Sequence, residues 1–389
     1  MPKTIIHTPY ALIGEDLELK KNVSLELDDY GKIRHISHEE PEENLQPLRG
    51  DHSTLMIPGL INSHMHIGDS FAKEYGFNKE LSEIVAPPFG LKHKLLRQTS
   101  REVKIKGIES AIFEMLSNGI TCFIDFREEG VEGVNLLRDV LNHLSINCLI
   151  YGRFLDESEI DSIFELADGL GLASYKQISK NNKKYVFESK HNSKKMIACH
   201  CAENNRDPHL LDDMFNDDLV DVIIHGTKFI TEDLFEIQKK EKALVLCPRC
   251  NGYFGVGFPP ITEIVKLKIP ISLGTDNVMV NNIDLFEEMR YLYRISRILG
   301  SYDKTIQLTS RELLKMVTIN AARNFQLETQ FGSISEGKLA DFFVLDLTGP
   351  NFYINNLNKN NIFDIIVQRT KSENIIKTYI KGIIAYERI

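Results

Sequence analysis

The sequence predicts an α/β protein: a parallel sheet assembled from strand–helix units, with a second, smaller β unit made from the two ends of the chain. Three observations predict it. Between residues 57 and 332, short apolar runs alternate with helical patterns, as they do in βα units around a parallel sheet. Several of those runs stop abruptly at a His or an Asp. The ends of the chain, 1–56 and 333–389, carry short alternating strands and turns instead, each end too small to hold a core alone.

Taken in order, Ser24-Leu25-Glu26-Leu27 alternates, Asp28-Asp29-Tyr30-Gly31 turns, and residues 32–36 return. Leu55-Met56-Ile57-Pro58-Gly59-Leu60-Ile61 reads as a single buried strand. Further strands are expected at 119–126, 147–154, 169–174 and 243–248, and in the runs reaching His200, His225 and Asp276, which makes eight. Val103, Ile105, Ile108, Ala111, Ile112, Met115 and Leu116 fall near helical spacing, so 101–117 is a helix. Residues 285–299 and 310–325 are the other clear helices, with Ser310 as a capped start. The polar stretch 176–195 is short of periodicity and reads as a helix with a mobile flank. Near the C-terminus 341–346 is strand-like, and 375–379 pairs with 383–386 across Lys381-Gly382. The two ends are expected to pair into one composite β domain, 1–56 plus 333–389, around a catalytic domain at 57–332. No internal repeat interrupts this order.

With 42% hydrophobic residues in 389, the chain has ample material for a large core. A formal net charge of -9 argues against nucleic acid as a partner, because phosphate neutralisation needs basic stripes. The lysines of 180–184 and 190–195 read as a solvated helix face and loop. The opening residues Met1-Pro2-Lys3-Thr4-Ile5-Ile6-His7 lack the apolar core of a signal peptide, and no run reaches membrane-span length. The expectation is a cytoplasmic protein with a small-molecule substrate and no membrane partner; a homo-oligomer stays open. Six cysteines do not make a disulfide framework in a chain this long. Cys199 and Cys201 flank His200, and alternation turns them toward the strand–helix layer as small buried hydrophobes. Cys247 and Cys250 form a Cys-x-x-Cys with no second pair at zinc-ribbon spacing, which leaves a metal or redox role for them the weaker reading.

The most informative run is Leu60-Ile61-Asn62-Ser63-His64-Met65-His66. Side chains at i and i+2 of a strand share a face, so two imidazoles leave the strand end side by side, half of a transition-metal site. Met196-Ile197-Ala198-Cys199-His200-Cys201-Ala202-Glu203 adds a third imidazole with a carboxylate three positions on. Val222-Ile223-Ile224-His225 adds a fourth, and Ile271-Ser272-Leu273-Gly274-Thr275-Asp276 an aspartate. With these the sequence resembles the amidohydrolase superfamily, in its mononuclear aminohydrolase branch of chlorohydrolase-like and cytosine, guanine and adenosine-derivative deaminases. The resemblance covers nearly the whole chain. It includes Pro58-Gly59-Leu60-Ile61-Asn62, Cys247-Pro248-Arg249-Cys250-Asn251 and the run from Gly332 to Asp341. It implies a (β/α)8 TIM barrel of roughly 250 residues and a small β-sandwich built from both chain termini.

Catalytic groups of such a barrel lie at the C-terminal mouth of its strands. The resemblance carries over His64, His66, His200 and Asp276 as ligands of one divalent metal; three imidazoles and a carboxylate suit Zn, or Fe or Mn if availability favours them. Such an ion lowers the pKa of a water to roughly 7 and so yields a hydroxide nucleophile. Glu203 resembles the deaminase acid that moves protons between that water, a ring nitrogen and the departing amine. Its plainer reading is a solvated loop acid that caps the next helix. His225 is expected to hydrogen-bond or help deprotonate the water, the alternative being a ligand in a two-metal site. Dinuclear relatives bridge their ions with a carboxylated lysine on strand four. The candidate strand 168–174 holds no lysine and Lys176 falls beyond it, so one metal is favoured. Arg127, Arg153 and Arg249 fall at predicted strand ends and are candidate substrate contacts for a carboxylate or phosphate; ion pairing with nearby acids is the equal alternative. Pro87-Pro88-Phe89-Gly90 and His93 lie in a lid-like connection, His93 as a surface residue. The expected function is deamination of a heterocyclic, possibly anionic, amine. Hydrolysis of a cyclic amide, an imidazolone or a carbon–halogen bond competes with it, as does a non-catalytic metal-binding scaffold.

Overall fold

Alternating apolar residues sort this chain into two sheets. The computed structural model describes residues 4–42, 54–85, 89–301, 307–352 and 358–388. The strands in chain order are β1 (Thr4–Ile13), β2 (Glu18–Leu27), β3 (Ile33–Glu39), β4 (Thr54–Pro58), β5 (Leu60–Met65), β6 (Ile120–Arg127), β7 (Asn147–Gly152), β8 (Gly169–Leu172), β9 (Met196–Cys201), β10 (Val222–His225), β11 (Ala243–Leu246), β12 (Ile271–Leu273), β13 (Phe342–Asp346), β14 (Ile375–Ile380) and β15 (Ile383–Glu387). Strands β5 to β12 pair in chain order as eight parallel neighbours. The seam between the first and last closes through backbone bonds of Asp276 N to His64 O (3.0 Å) and His66 N to Asp276 O (3.4 Å). This is the expected (β/α)8 barrel.

Helices Arg101–Ser117, Gly130–Leu141, Ile160–Leu166, Lys183–Ser193, Pro208–Asp217, Thr231–Lys239, Ile261–Lys266 and Leu285–Leu299 follow successive strands. One core lies between strands and helices and holds Phe123, Ile197, Cys199, Ile223, Leu244 and Leu273. A second fills the barrel interior with Cys122, Ile124, Phe126, Tyr151, Ala198, Val222, Ile224 and Val245. The two sets alternate along each strand, as period-two geometry requires.

The termini form a seven-stranded sheet in the order β15-β14-β13-β4-β1-β2-β3, so both ends build one β unit as expected. Leu55, Ile57, Phe343 and Leu345 join the strand–helix core, while Ala11, Val23, Leu25, Met56 and Phe342 enclose a smaller core of their own. The sequence reading of 55–61 as one strand is corrected here. β4 pairs with β13 in the terminal sheet and β5 with β6 in the barrel. Pro58-Gly59 makes the break: a Cβ at Gly59 would lie 2.0 Å from Thr121 Oγ1, so only glycine lets the chain cross so close to the barrel. Helix Ile362–Arg369 packs against barrel helices, with Arg290 Nη1 donating to Val367 O and Thr370 O at 3.2 and 2.9 Å. Among the described residues no helix is long and apolar enough to cross a membrane.

Candidate active site and metal centre

Four imidazoles and one carboxylate meet where the barrel strands end. His64 and His66 come from β5 and the turn after it, His200 from β9, His225 from the last position of β10, and Asp276 from the loop after β12. Interior parity explains His200, because Ala198 of the same strand lies in the barrel core. It does not explain His225. Val222 and Ile224 face inward, so an extended His225 would face out; its φ of 75° turns the backbone and brings the ring back to the mouth. Ala202 and Asp276 also carry positive φ (49° and 57°). Such conformations are uncommon for residues other than glycine and gather at functional sites.

The side chains converge closely. His64 Nε2 lies 3.2 Å from His200 Nε2 and 3.3 Å from Asp276 Oδ1. His66 Nε2 lies 3.5 Å from Asp276 Oδ1, and His225 Nε2 4.0 Å from Asp276 Oδ2. Ligand atoms of His64, His200, His225 and Asp276 all fall within 4.8 Å of one another; His66 approaches the same Asp276 oxygen as His64. Three of the four rings are fixed from behind. His200 Nδ1 donates to Leu172 O (2.9 Å) and His225 Nδ1 to Asn251 Oδ1 (3.0 Å). His66 Nδ1 lies 3.1 Å from Phe126 O and 2.7 Å from Glu128 Oε1. Each contact puts the proton on Nδ1 and leaves the Nε2 lone pair facing inward, as metal-ligating histidines require. Burial pushes all four imidazoles below their ordinary pKa, so they are neutral donors. Burial opposes ionisation of Asp276, but the hydrogen bond from His64 leads the contacts that hold its carboxyl well below the usual range. A neutral nitrogen set around one carboxylate is the donor chemistry of a divalent metal of the zinc type, and the cluster fits such an ion.

Glu203 sits beside this cluster, with Oε2 3.7 Å from His225 Nε2. Burial, with Asp276 nearby, pushes its carboxyl up to about 8. It does not cap the following helix: that position belongs to Asp207, whose side chain accepts from Leu210 N. Thr227 Oγ1 donates to Ala202 O (2.9 Å) and to Glu203 O, pinning the loop. The cluster opens into a cavity of about 100 Å³ walled by Leu81, Val85, Phe254 and Ala173, with Lys92, His93, Arg153 and Asn277 contributing polar groups. An adjoining space of about 220 Å³ shares His200 and Glu203 and is bounded by Tyr175, Leu210, Leu211 and Met214. A larger cavity, about 690 Å³, lies around Met196, Ala243 and Ile271 at the opposite ends of the strands. It holds none of the clustered histidines, so the chemistry points to the smaller space.

The arginine expectation needs correction. Arg153 lines the cavity. Arg127 lies on the outward face of β6, opposite in parity to Cys122, Ile124 and Phe126, where its guanidinium is buried against Gly133 O (2.9 Å) and Glu129 (3.1 Å). Arg249 sits on the short helix Pro248–Tyr253 rather than on a strand end, and pairs with Glu287 (3.2 Å) and Glu288 (3.6 Å). The positive pocket that suggested an anionic substrate is therefore not assembled. His93, expected at the surface, lines the cavity instead; burial drives its imidazole down to about 4. Pro87 and Pro88 lie outside the described residues. The six cysteines are free thiols, with Cys199 and Cys201 in the strand–helix core as alternation requires. Sequence reasoning missed Lys92 and Asp69, buried with Glu128 behind His66; Glu128 itself pairs with Arg153 (3.2 Å), the ion pairing held as the alternative for the arginines. The available signal was spacing: Lys92 lies four positions before buried Leu96 on the helix Leu91–Gln98.

The amidohydrolase family profile matches residues 55–384, most of the chain. The protein belongs to the amidohydrolase family. It is thus a hydrolase acting on C–N bonds. An uncharacterized protein of Methanocaldococcus jannaschii is 31% identical, covering 89% of this chain and 91% of its own. A 5-methylthioadenosine/S-adenosylhomocysteine deaminase of Clostridium tetani is 25% identical over 92% of this chain and 85% of its own. In fold, this amidohydrolase is similar to a zinc-bound adenosine deaminase from Xanthomonas campestris, with a TM-score of 0.79 and 16% identity over 98% of this chain and 92% of that one.

Proposed function

We propose that this amidohydrolase deaminates a heterocyclic amine, with one zinc ion held by His64, His66, His200 and Asp276 and with Glu203 and His225 as its catalytic pair. The observation that carries the reading is Glu203: a half-buried carboxyl at the edge of the His/Asp cluster, 3.7 Å from His225 and lining the cavity. A bound divalent ion would supply Lewis acidity and make an attacking water acidic near neutral pH. In the overall reaction, water oxygen bonds to the ring carbon bearing the amino group, the C–NH2 bond breaks, and ammonia leaves a ring carbonyl. Glu203 takes the water proton at its carboxylate oxygen and passes it to the ring nitrogen. It then moves the second proton to the departing nitrogen. His225 Nε2 lies 3.7 Å from Glu203 and 4.0 Å from Asp276, between the proton-moving carboxyl and the cluster, where it would hydrogen-bond the water. Leu81, Val85 and Phe254 limit water beside the ring. The adjoining space with its apolar wall favours a ring carrying a substituent, as in the relatives named for adenosine derivatives.

Ammonia release from a panel of aminopurines, aminopyrimidines, their nucleosides and 5′-substituted adenosines tests this, using zinc-loaded protein. The expected result is one ammonia per carbonyl product for a substituted base, with His64→Ala inactive. Zinc content should fall in His66→Ala and stay near one per chain in His225→Ala. No ammonia from any aminated ring, or turnover undiminished in His64→Ala, would sink the proposal.

A further inference from the structure

Behind His66, on the side away from the other imidazoles, lies a buried ionic cluster that no step above uses. Lys92 is 2% exposed and Asp69 1%. Lys92 Nζ lies 3.0 Å from Asp69 Oδ2 and 2.5 Å from Glu128 Oε1. The same Glu128 oxygen stands 2.7 Å from His66 Nδ1 and 3.2 Å from Arg153 Nη1. One carboxylate oxygen thus gathers the ring that faces the metal site, a guanidinium that lines the cavity, and a lysine carried on a separate helix, Leu91–Gln98. Formal charges balance within the cluster, two acids against two cations, and a buried charge left without its partner is costly. Neither Asp69 oxygen has a hydrogen-bond partner among the described residues, so the ion pair with Lys92 is what compensates it.

We infer that Lys92 is a positioning residue: it holds Glu128 against His66 and so ties the helix Leu91–Gln98, which covers the cavity, to the orientation of a metal ligand. This rests on the proposed role of His66 as a ligand. Without the lysine, buried Asp69 loses its cation and Glu128 keeps only Arg153, so Glu128 cannot keep its place behind the imidazole at no cost. Supports of this kind commonly alter metal affinity about 10–100-fold. In keeping with this, the positive charge of Lys92 stabilises the ionised form of Glu128, whose carboxyl is held well below the usual range against the cost of burial.

Zinc affinity, measured by competition with a chromophoric chelator on the folded protein, tests the inference without relying on turnover. Lys92→Met is expected to weaken zinc binding about 10–100-fold. Lys92→Met/Asp69→Asn removes one charge of each sign and keeps the cluster neutral, so it should fold even if the single variant does not, and it should still bind zinc weakly. Adding Lys92→Met to Glu128→Gln should cost little more, because both act through one hydrogen bond. Zinc affinity of Lys92→Met/Asp69→Asn within twofold of wild type overturns the inference. So do additive effects of Lys92→Met and Glu128→Gln, which would make Lys92 a stability residue alone. His66→Ala separates the two levels: unchanged affinity there removes the ligand reading itself, whereas weakened affinity there with normal Lys92 variants removes only the positioning role.

Discussion

Glu203→Gln isolates the proton-transfer step from everything that builds the site. The substitution keeps side-chain volume and leaves an amide oxygen beside His225, so neither the barrel nor the metal cluster loses a contact. What disappears is the proton. In the wild type that carboxyl is pushed up to about 8 by burial and by Asp276, and two other acids of the site are already engaged. Asp276 is engaged by His64 and His66, and Glu128 Oε1 is shared by His66, Lys92 and Arg153. General acid–base groups contribute about 10²–10⁴-fold, which corresponds to about 3–5 kcal/mol of barrier at about 1.4 kcal/mol per decade. The assay is ammonia release at saturating substrate, run beside zinc content and Tm on the same preparation. A drop of that size in kcat, with metal and Tm unchanged, is expected. A rate within threefold of wild type at full zinc occupancy would refute the role given to Glu203, and with it the argument that deamination is the reaction.

Two further predictions concern what holds the site in place. A Cβ at Gly274 would lie 2.6 Å from His64 O and 2.7 Å from His64 N, so Gly274→Ala must push the β12 end away from the β5 end; a loss of about 1–3 kcal/mol in unfolding free energy and weaker zinc binding are expected, and an unchanged urea midpoint would contradict the close approach. Asp341 accepts from Lys381 N and Asn147 Nδ2, both at 2.6 Å, yet burial raises its carboxyl to about 6. A carboxyl raised on folding contributes stability that is complete below the unfolded value near 4 and is lost as pH rises through 6. Urea titrations of wild type and Asp341→Asn should therefore shift relative to each other between pH 4 and pH 7, in the variant's favour, by up to about 3 kcal/mol; a pH-independent difference would count against it.

How much of this was legible in the sequence follows from strand parity. Apolar runs ending in His or Asp are visible without coordinates, and period-two alternation carries His200 inward and Cys199 and Cys201 outward, as observed. The same rule exposes Arg127 as an error of one position: Cys122, Ile124 and Phe126 face inward, so Arg127 cannot. Arg249 failed for a different reason, because the chain leaves the strand before it and enters a short helix. His225 is the converse case. Alternation alone would turn it out of the site, and only its left-handed φ returns it, a backbone state that the sequence hints at through the adjoining Gly226 but does not specify. Lys92 was hidden by its surroundings, since Lys92-His93-Lys94 reads as a solvated face. What buries it is charge pairing with Asp69 and Glu128, residues 23 and 36 positions away in sequence. Local pattern reports hydrophobic burial well and compensated ionic burial poorly, because the partner that makes a buried charge tolerable is supplied by another strand end. The parts of this site that escaped the sequence are therefore those whose stability is non-local: Lys92 and Asp69, an ion pair that makes sense only once the barrel has closed around His66.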